Sequence, residues 1–517
     1  MVGDFGRSAS RVRVTSAQPL SQHVGLGVRP WLPGVAVFAL ALLARLLGLD
    51  RRSVWFDETG TYLNAHVPWD RLLAAIREDV HPPLGYVLFH LWPWIDSGDA
   101  LFRLPAALLG ALAAPLAWAW ARRLAGPRVG LVTGAFVALA PFGVDLGQEA
   151  RMYGLFFALW AGSLLQLDRV LQRPTVGRAT GYALLAVALL YTHYYAAFFL
   201  AAQGLSVLVG GWALGIGWRL SASPRPASDG GGRLRAPGAW WALSALAVAG
   251  VLFLPWLPVL IEQAGSVRGG YWIEAPRLAT LWTTFRALAA HTPPDSQLGL
   301  PLRVAYVLLA GLMLFGGWLI IHARREWVAV ASLVVPPVLA ILVSLLVAPV
   351  YALRYVSPLL VPFGFVAARG ALGLPRPWLR AAGLAILFFP VLVSLPPLYL
   401  DPGYSRADLR AAAAYIRAQS VPDDRVIHLG DFTAAPFRYY RVALPAVTLQ
   451  SDDRAELCAG LRGAAHGWLV TAYAPDDDAA RATAEAGITD PGYAGRLLDE
   501  PAARFLGVSV FKVRTGC

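Results

Sequence analysis

Long apolar runs separated by short polar turns fill the first four hundred residues. A membrane-crossing helix needs about 20 largely apolar residues, with roughly 17 to 25 the working range. Runs of that kind begin near Trp31, Ala100, Val129, Met152, Ala179, Tyr195, Ala239, Arg303, Trp327, Arg354 and Trp378, which predicts eleven crossings. The run from Leu84 to Ile95, behind His81-Pro82-Pro83, is only about a dozen residues long and reads as an interfacial or re-entrant helix. Pro276 to Ala290 (PRLATLWTTFRALAA) places apolar residues at helical spacing and reads as a second surface helix, lying over a cavity and able to gate it.

From about Leu398 the pattern changes. Charged residues become frequent, and short apolar runs alternate with Ala-rich stretches. This predicts helices over 406–418, 452–461 and 476–486, and strands over 425–429, 446–449, 467–472 and 507–513. Such alternation indicates a small α/β unit. The expected organisation is a basic tail over residues 1–30, a membrane domain over 31–398 and the α/β domain over 399–517.

Composition supports an α-helical polytopic membrane protein. Of 517 residues 57% are hydrophobic and 15% charged, against about 25% charged in soluble domains. The net charge of +12 does not indicate nucleic acid, because the arginines gather in short loops between apolar runs. Without a crossing at Leu84 to Ile95, one side of the membrane receives Arg122, Arg123 and Arg128; Arg169, Arg173 and Arg178; Arg219, Arg225, Arg233 and Arg235; Arg324 and Arg325; and Arg376 and Arg380. By the positive-inside rule that side is cytoplasmic. The first run is then an uncleaved signal anchor, the N-terminus lies inside and the C-terminal domain lies outside. Ser221 to Gly232 reads as a flexible linker. Two cysteines, Cys458 and Cys517, are too few for a disulfide framework or a thiolate metal site; whether they pair is open.

Candidate chemistry collects on the opposite side. Ser53-Val54-Trp55-Phe56-Asp57-Glu58-Thr59-Gly60 places two carboxylates beside a bilayer, and the same loop carries Asp70, Glu78, Asp79 and His81. Later outer turns bring Gln148-Glu149-Ala150-Arg151-Met152-Tyr153, then His193-Tyr194-Tyr195, the loop with Tyr271-Trp272, and Arg354-Tyr355. Taken singly, the aromatics are ordinary belt anchors and the arginines can snorkel to head groups. Taken together they suit transfer of a group from a lipid phosphate to a hydroxyl. A carboxylate in a partly apolar pocket can take the acceptor's proton, which points to Asp57. Guanidinium groups bind phosphate oxygens in bidentate fashion, which points to Arg151 and Arg354. A one-step displacement at the sugar C1 would invert that centre.

The ordered set Phe56-Asp57-Glu58, His81-Pro82-Pro83-Leu84-Gly85-Tyr86, Gln148 to Tyr153, Thr192-His193-Tyr194-Tyr195 and Arg354-Tyr355 resembles the bacterial GT-C glycosyltransferases. Within them it is similar to the protein O-mannosyltransferases and the lipid A aminoarabinose transferases, over roughly residues 30 to 400. The resemblance implies a polyprenyl-phosphate sugar donor, a glycan, lipid or protein acceptor of unknown identity, and a place in the bacterial plasma membrane. It implies Asp57 as general base with Glu58 and Glu149 beside it, Arg151, Arg354 and His81 at the donor phosphate, and Tyr153, His193, Tyr194 and Tyr355 around the substrate. The aminoarabinose branch has a lysine where His81 stands. Relatives using pyrophosphate-linked donors employ a divalent metal and monophosphate users do not, so no cofactor is expected; Asp57, Glu58 and Glu149 are nevertheless the oxygen ligands that Mg²⁺ or Mn²⁺ would take.

Two other function classes remain. A flippase or transporter for a lipid-linked glycan should hold its charges near mid-span, where Arg45 is the one clear case, read as lining the outer cavity. A scaffold would leave Asp57 and Glu149 far apart. No Gly-rich nucleotide fingerprint follows a strand, so a nucleotide-sugar donor is not supported.

Overall fold

The computed structural model describes residues 29, 31–220, 236–268, 273–291, 299–321, 323, 326–449, 463–472 and 501–514. The basic tail, the linker over 221–232, Tyr271-Trp272, the helices expected over 452–461 and 476–486, and both cysteines lie outside the described residues.

Each of the eleven apolar runs holds a helix. They are α1 (Leu32–Leu46), α5 (Asp99–Ala125), α6 (Pro127–Leu139) with α7 (Pro141–Gly147), α8 (Tyr153–Gln172), α9 (Val176–Thr192), α10 (Ala196–Leu220), α11 (Ala236–Phe253) with α12 (Leu257–Arg268), α14 (Leu300–Ile321), α15 (Trp327–Leu346), α16 (Leu360–Gly373) with the 3-10 turn Leu353–Leu359, and α17 (Pro377–Leu400). Seven are long and apolar enough to cross a bilayer, and the pair α6 and α7, bent by 54°, makes an eighth. The remaining three, α1, α9 and the apolar part of α10 (Ala196–Val209), are shorter.

The bend follows from Pro141, which has no N–H to continue the ladder. Arg45 spans the bend: its guanidinium donates to Ala138 O and Gly143 O on either side of it, both at 3.1 Å, and to Ala41 O of its own helix at 3.0 Å. Arg45 is therefore a buried brace at a broken helix, and it does not line the outer cavity as expected. Elsewhere small residues bring helices together: a Cβ at Gly316 would collide with the Val366 carbonyl, and one at Gly370 with that of Leu312.

Between α1 and α5 the chain forms three short helices where the sequence indicated one. α2 (Phe56–Ala65), α3 (Trp69–Arg77) and α4 (Leu84–His90) lie along one end of the bundle. At seven residues α4 is about 10 Å long, too short to cross. The expected surface helix is present as α13 (Leu278–Ala289).

The C-terminal unit contains α18 (Leu409–Gln419), β1 (Arg425–Leu429), α19 (Asp431–Tyr439), β2 (Ala446–Leu449), β3 (His466–Ala472), β4 (Ala503–Phe505) and β5 (Val508–Arg514). Its sheet has the order β2-β1-β3-β5-β4, with β1 parallel to β2 and β3, and β5 antiparallel to β3 and β4. The unit does not stand apart from the membrane helices. Val54, Phe89, Phe102 and Ala106 share one apolar core with Leu409, Ile416, Phe437, Trp468 and Val510. That core fixes the sheet over the ends of α2, α4 and α5.

Chain direction then sorts the charges. α1, α5, α8 and α9 each have one end among Asp57, Asp99, Glu149 and His193 and the other among the arginines of the short loops.

Candidate active site

The site is built where α2, the turn between α7 and α8, the 3-10 turn before α16 and the first residues of the C-terminal unit converge. α2 is rich in Thr and Gly, which are poor helix formers, and its first turn carries Asp57 and Glu58, where acidic groups suit the helix dipole. Adjacent helix positions point about 100° apart, so the two carboxylates have different fates.

Glu58 is buried. Arg103 of α5 holds it in a two-pronged pair, Nε to Oε1 and Nη2 to Oε2, both at 2.7 Å, and the Ala150 N–H donates to Oε1 at 2.8 Å. Burial alone would push this carboxyl up; the Arg103 charge and hydrogen bonds, with Arg406 and the Ala150 N–H, hold it below its ordinary value. Arg103 also donates to the carbonyls of Leu49, Arg52 and Ser53, clamping the loop that leads into α2. Glu58 and Arg103 thus fix the frame, and Glu58, expected beside Asp57 in the chemistry, is engaged in this buried pair.

Asp57 points the other way and is partly exposed. Arg354 Nη1 donates to its Oδ2 at 2.5 Å. Arg151, buried, donates from Nη1 to the Asp57 carbonyl at 2.9 Å and to Thr61 Oγ1 at 3.1 Å, and its Nη2 lies 3.4 Å from His81 Nδ1. Its Nε finds no acceptor among the described residues.

Glu149 is buried and paired through Oε1 with Arg406, while Oε2 has no partner among the described residues. Burial pushes its carboxyl above the ordinary range; Arg406 and Arg354 act against that push, and Asp145 and Glu58 add to it. Arg354 therefore faces both Asp57 and Glu149. The Arg354 and Arg406 guanidiniums also lie 5.1 and 3.7 Å from the ring centre of Trp55, so one tryptophan links the two ion pairs.

His81 is buried, with Nδ1 3.2 Å from Asp79 Oδ1. Burial lowers its pKa, and the Asp79 bond only partly restores it. The lowered pKa favours the neutral ring, which makes His81 a hydrogen-bonding group at the place expected to meet the donor phosphate. His193 is lowered well below its ordinary value by burial and by its neighbours His81 and Arg151. Its ring stacks on Phe156 at 5.1 Å and meets Tyr355 at 4.7 Å.

A cavity of about 220 Å³ opens beside these rings. His81, His193, Tyr194, Tyr195, Tyr355 and Gln263 lie along it, and Ile273, Val343, Val347 and Val350 make the rest of its wall apolar. Three of the four residues expected around the substrate, His193, Tyr194 and Tyr355, meet there. Tyr153 does not; it is buried in α8 with its ring 6.3 Å from His193.

A second cluster adjoins the first. Asp145 pairs with Arg52 and with His291 at 3.1 Å, and Arg52 reaches Gln148 Oε1 at 3.0 Å. His291 follows α13, so this cluster ties the surface helix to α7. Sequence reading missed Arg52, Arg103, Asp145, His291 and Arg406, whose partners lie from 45 to 257 residues away. Among the described residues no three His, Cys, Asp or Glu side chains group as metal ligands. Asp57, Glu58 and Glu149, the oxygen ligands a divalent cation would take, each pair with a guanidinium.

Comparison with known proteins bears on this arrangement. Residues 80–217 match the family model of dolichyl-phosphate-mannose-protein mannosyltransferase, a stretch that includes His81, Glu149, Arg151 and His193. Among solved structures, Cupriavidus metallidurans ArnT in the apo state has a TM-score of 0.54 at 16% identity, over 93% of this chain and 97% of that one. The same protein bound to undecaprenyl phosphate gives 0.49 at 16%, over 93% and 98%. An Archaeoglobus fulgidus oligosaccharyltransferase tethered to an acceptor peptide gives 0.49 at 10%, over 95% and 74%. No curated protein matches in sequence. The chain has the GT-C fold, that of a superfamily of polytopic membrane glycosyltransferases. It is similar to the dolichyl-phosphate-mannose-protein mannosyltransferase family over residues 80–217 and to ArnT in fold.

Proposed function

We propose that the chain transfers a sugar from a polyprenyl-monophosphate donor to an acceptor hydroxyl, with inversion, at the extracytoplasmic face of a bacterial plasma membrane. The observation that carries this reading is the convergence of Asp57, Arg354, Arg151 and His81, the last of which also lines the apolar cavity. The match to a mannosyltransferase model over 80–217 supports the donor class. The face is argued from the arginine loops at the far end of the bundle, by the positive-inside rule.

The donor's phosphate takes Arg354, which leaves the Asp57 carboxylate for the acceptor hydroxyl. That oxygen attacks C1, its proton passes to Asp57, the bond from C1 to the phosphate oxygen breaks, and the polyprenyl phosphate leaves with the electron pair. The leaving phosphate needs cations, not a proton, and Arg354 and Arg151 supply them. Neutral His81 adds a hydrogen bond. Glu149, with Arg406, positions Trp55 and Arg354. Because Asp57, Glu58 and Glu149 already hold guanidiniums, we assign no metal to the reaction; transfer should continue in excess chelator.

The test is transfer by the purified full-length protein in lipid nanodiscs, with a polyprenyl-monophosphate sugar and a panel of acceptors. A glycoside of inverted configuration is expected. Passage of intact lipid-linked sugar across liposomes, without exchange of the glycosidic bond, would instead establish the transporter.

A further inference from the structure

A second cavity, about 560 Å³, lies at the opposite end of the bundle between α1, α5 and α8. Its walls are of two kinds. Trp31, Val35, Phe38 and Trp118 form an apolar half, and Arg122, Arg123 and Arg169 stand over it. The cause lies in helix lengths. With 15 residues α1 is about 22 Å long, shorter than the roughly 30 Å hydrocarbon core, whereas α5 with 27 residues reaches about 40 Å. α5 and α8 therefore carry their terminal arginines beyond the first turn of α1, and a gap opens beside that turn.

We propose that this groove is a binding site for one anionic phospholipid, its phosphate on Arg122 and Arg169 and its acyl chains against the tryptophans and Phe38. Charge complementarity selects this occupant. Arg123 pairs with Asp168 at 2.6 Å, and no carboxylate stands among the described residues that line the groove. Arg122 lies 5.0 Å from the Trp118 ring centre, which places its charge where the apolar wall meets the loops. The loops around it add Arg128, Arg173 and Arg178, all basic. The chain's own N-terminal tail makes a poor occupant, because it brings Arg7, Arg11, Arg13 and Arg29 to a cationic rim. Basic pockets between membrane helices commonly take lipid head groups in this way. The inference does not depend on the transfer reaction.

Native mass spectrometry of the full-length protein in detergent tests it, with cardiolipin, phosphatidylglycerol or phosphatidylethanolamine added. Cardiolipin and phosphatidylglycerol should stay bound under detergent washing and phosphatidylethanolamine should not. At the strength usual for basic residues near anionic lipid, Arg122→Gln with Arg169→Gln should weaken binding about thirtyfold. Both arginines are exposed and the Arg123 pair is left intact, so the fold should hold, checked by an unchanged melting temperature in lipid-free detergent. Ala119→Trp, which fills the apolar half and keeps every arginine, should also expel the lipid. Equal occupancy in wild type and both variants, equal binding of phosphatidylethanolamine, or displacement of the lipid by millimolar inorganic phosphate would each overturn the proposal.

Discussion

The two ends of the bundle are both rich in arginine, and they divide it differently between buried pairs and exposed loops. At the Asp57 end Arg103, Arg354, Arg406 and Arg52 each meet a carboxylate, and three of those carboxylates are buried. At the other end Arg123 and Arg369 pair with the buried carboxylates Asp168 and Glu326, but Arg122, Arg128, Arg169 and Arg173 are exposed in or beside short loops. A guanidinium taken out of water is costly unless it is matched, so buried pairs mark places where the fold has committed to a geometry. Exposed arginines on one face carry topology, and beside a groove they can recruit lipid.

That contrast can be broken by mutation, most severely at Glu58. Arg103→Ala leaves a buried carboxylate unpaired and frees three carbonyls; removing one partner of such a pair costs roughly 3–5 kcal/mol. We expect loss of folded protein by fluorescence size-exclusion chromatography. A smaller effect is expected at Arg406. Arg406→Ala strands Glu149 at a cost of roughly 1–3 kcal/mol, read as lower kcat/KM. Glu149→Gln in the same chain should recover part of the loss, because the stranded charge is gone; no recovery would show that Arg406 serves the donor directly.

Acidity sharpens the comparison further. Glu58, and Asp79 beside His81, are held below their ordinary values. Groups with lowered folded pKa contribute stability that is present above the unfolded value, about 4, and is lost as pH falls through the folded one. Melting temperature should therefore be flat near neutrality and fall below about pH 4, and Glu58→Gln should flatten that limb. The smallest effect is expected at the far end: Arg173→Ala, exposed, should change stability by under about 0.5 kcal/mol in a thermal melt.

The same contrast explains what the sequence made legible. Apolar runs are read directly because each span satisfies its own backbone, and all eleven runs hold helices. The strand positions Arg425–Leu429 and Ala446–Leu449 were also readable, since a short apolar run between polar turns is a local signal. α2 was not, because Thr59, Gly60 and Thr61 argue against a helix that tertiary packing and its acidic first turn sustain. The short edge strand β4 escaped for the same reason, whereas α3 and α19 carry amphipathic patterns that the reading passed over. The break at Pro141 was hidden inside a single run. In the site, Asp57, Glu149, Arg151 and Arg354 stood out as charges beside lipid. Their partners did not, since Arg103 and Arg406 look like ordinary arginines until the fold brings them across. The neutral state of His81 likewise depends on burial, which a tripeptide of His and Pro does not reveal.

The central claim is that Asp57 takes the acceptor's proton while Arg354 holds the donor phosphate. Turnover and donor affinity of Asp57→Asn, measured together on folded protein in nanodiscs, test it most directly. The account predicts a loss of about 10²- to 10⁴-fold in kcat, as for other general bases, with donor binding retained. Unchanged kcat in a folded, donor-saturated variant would contradict it.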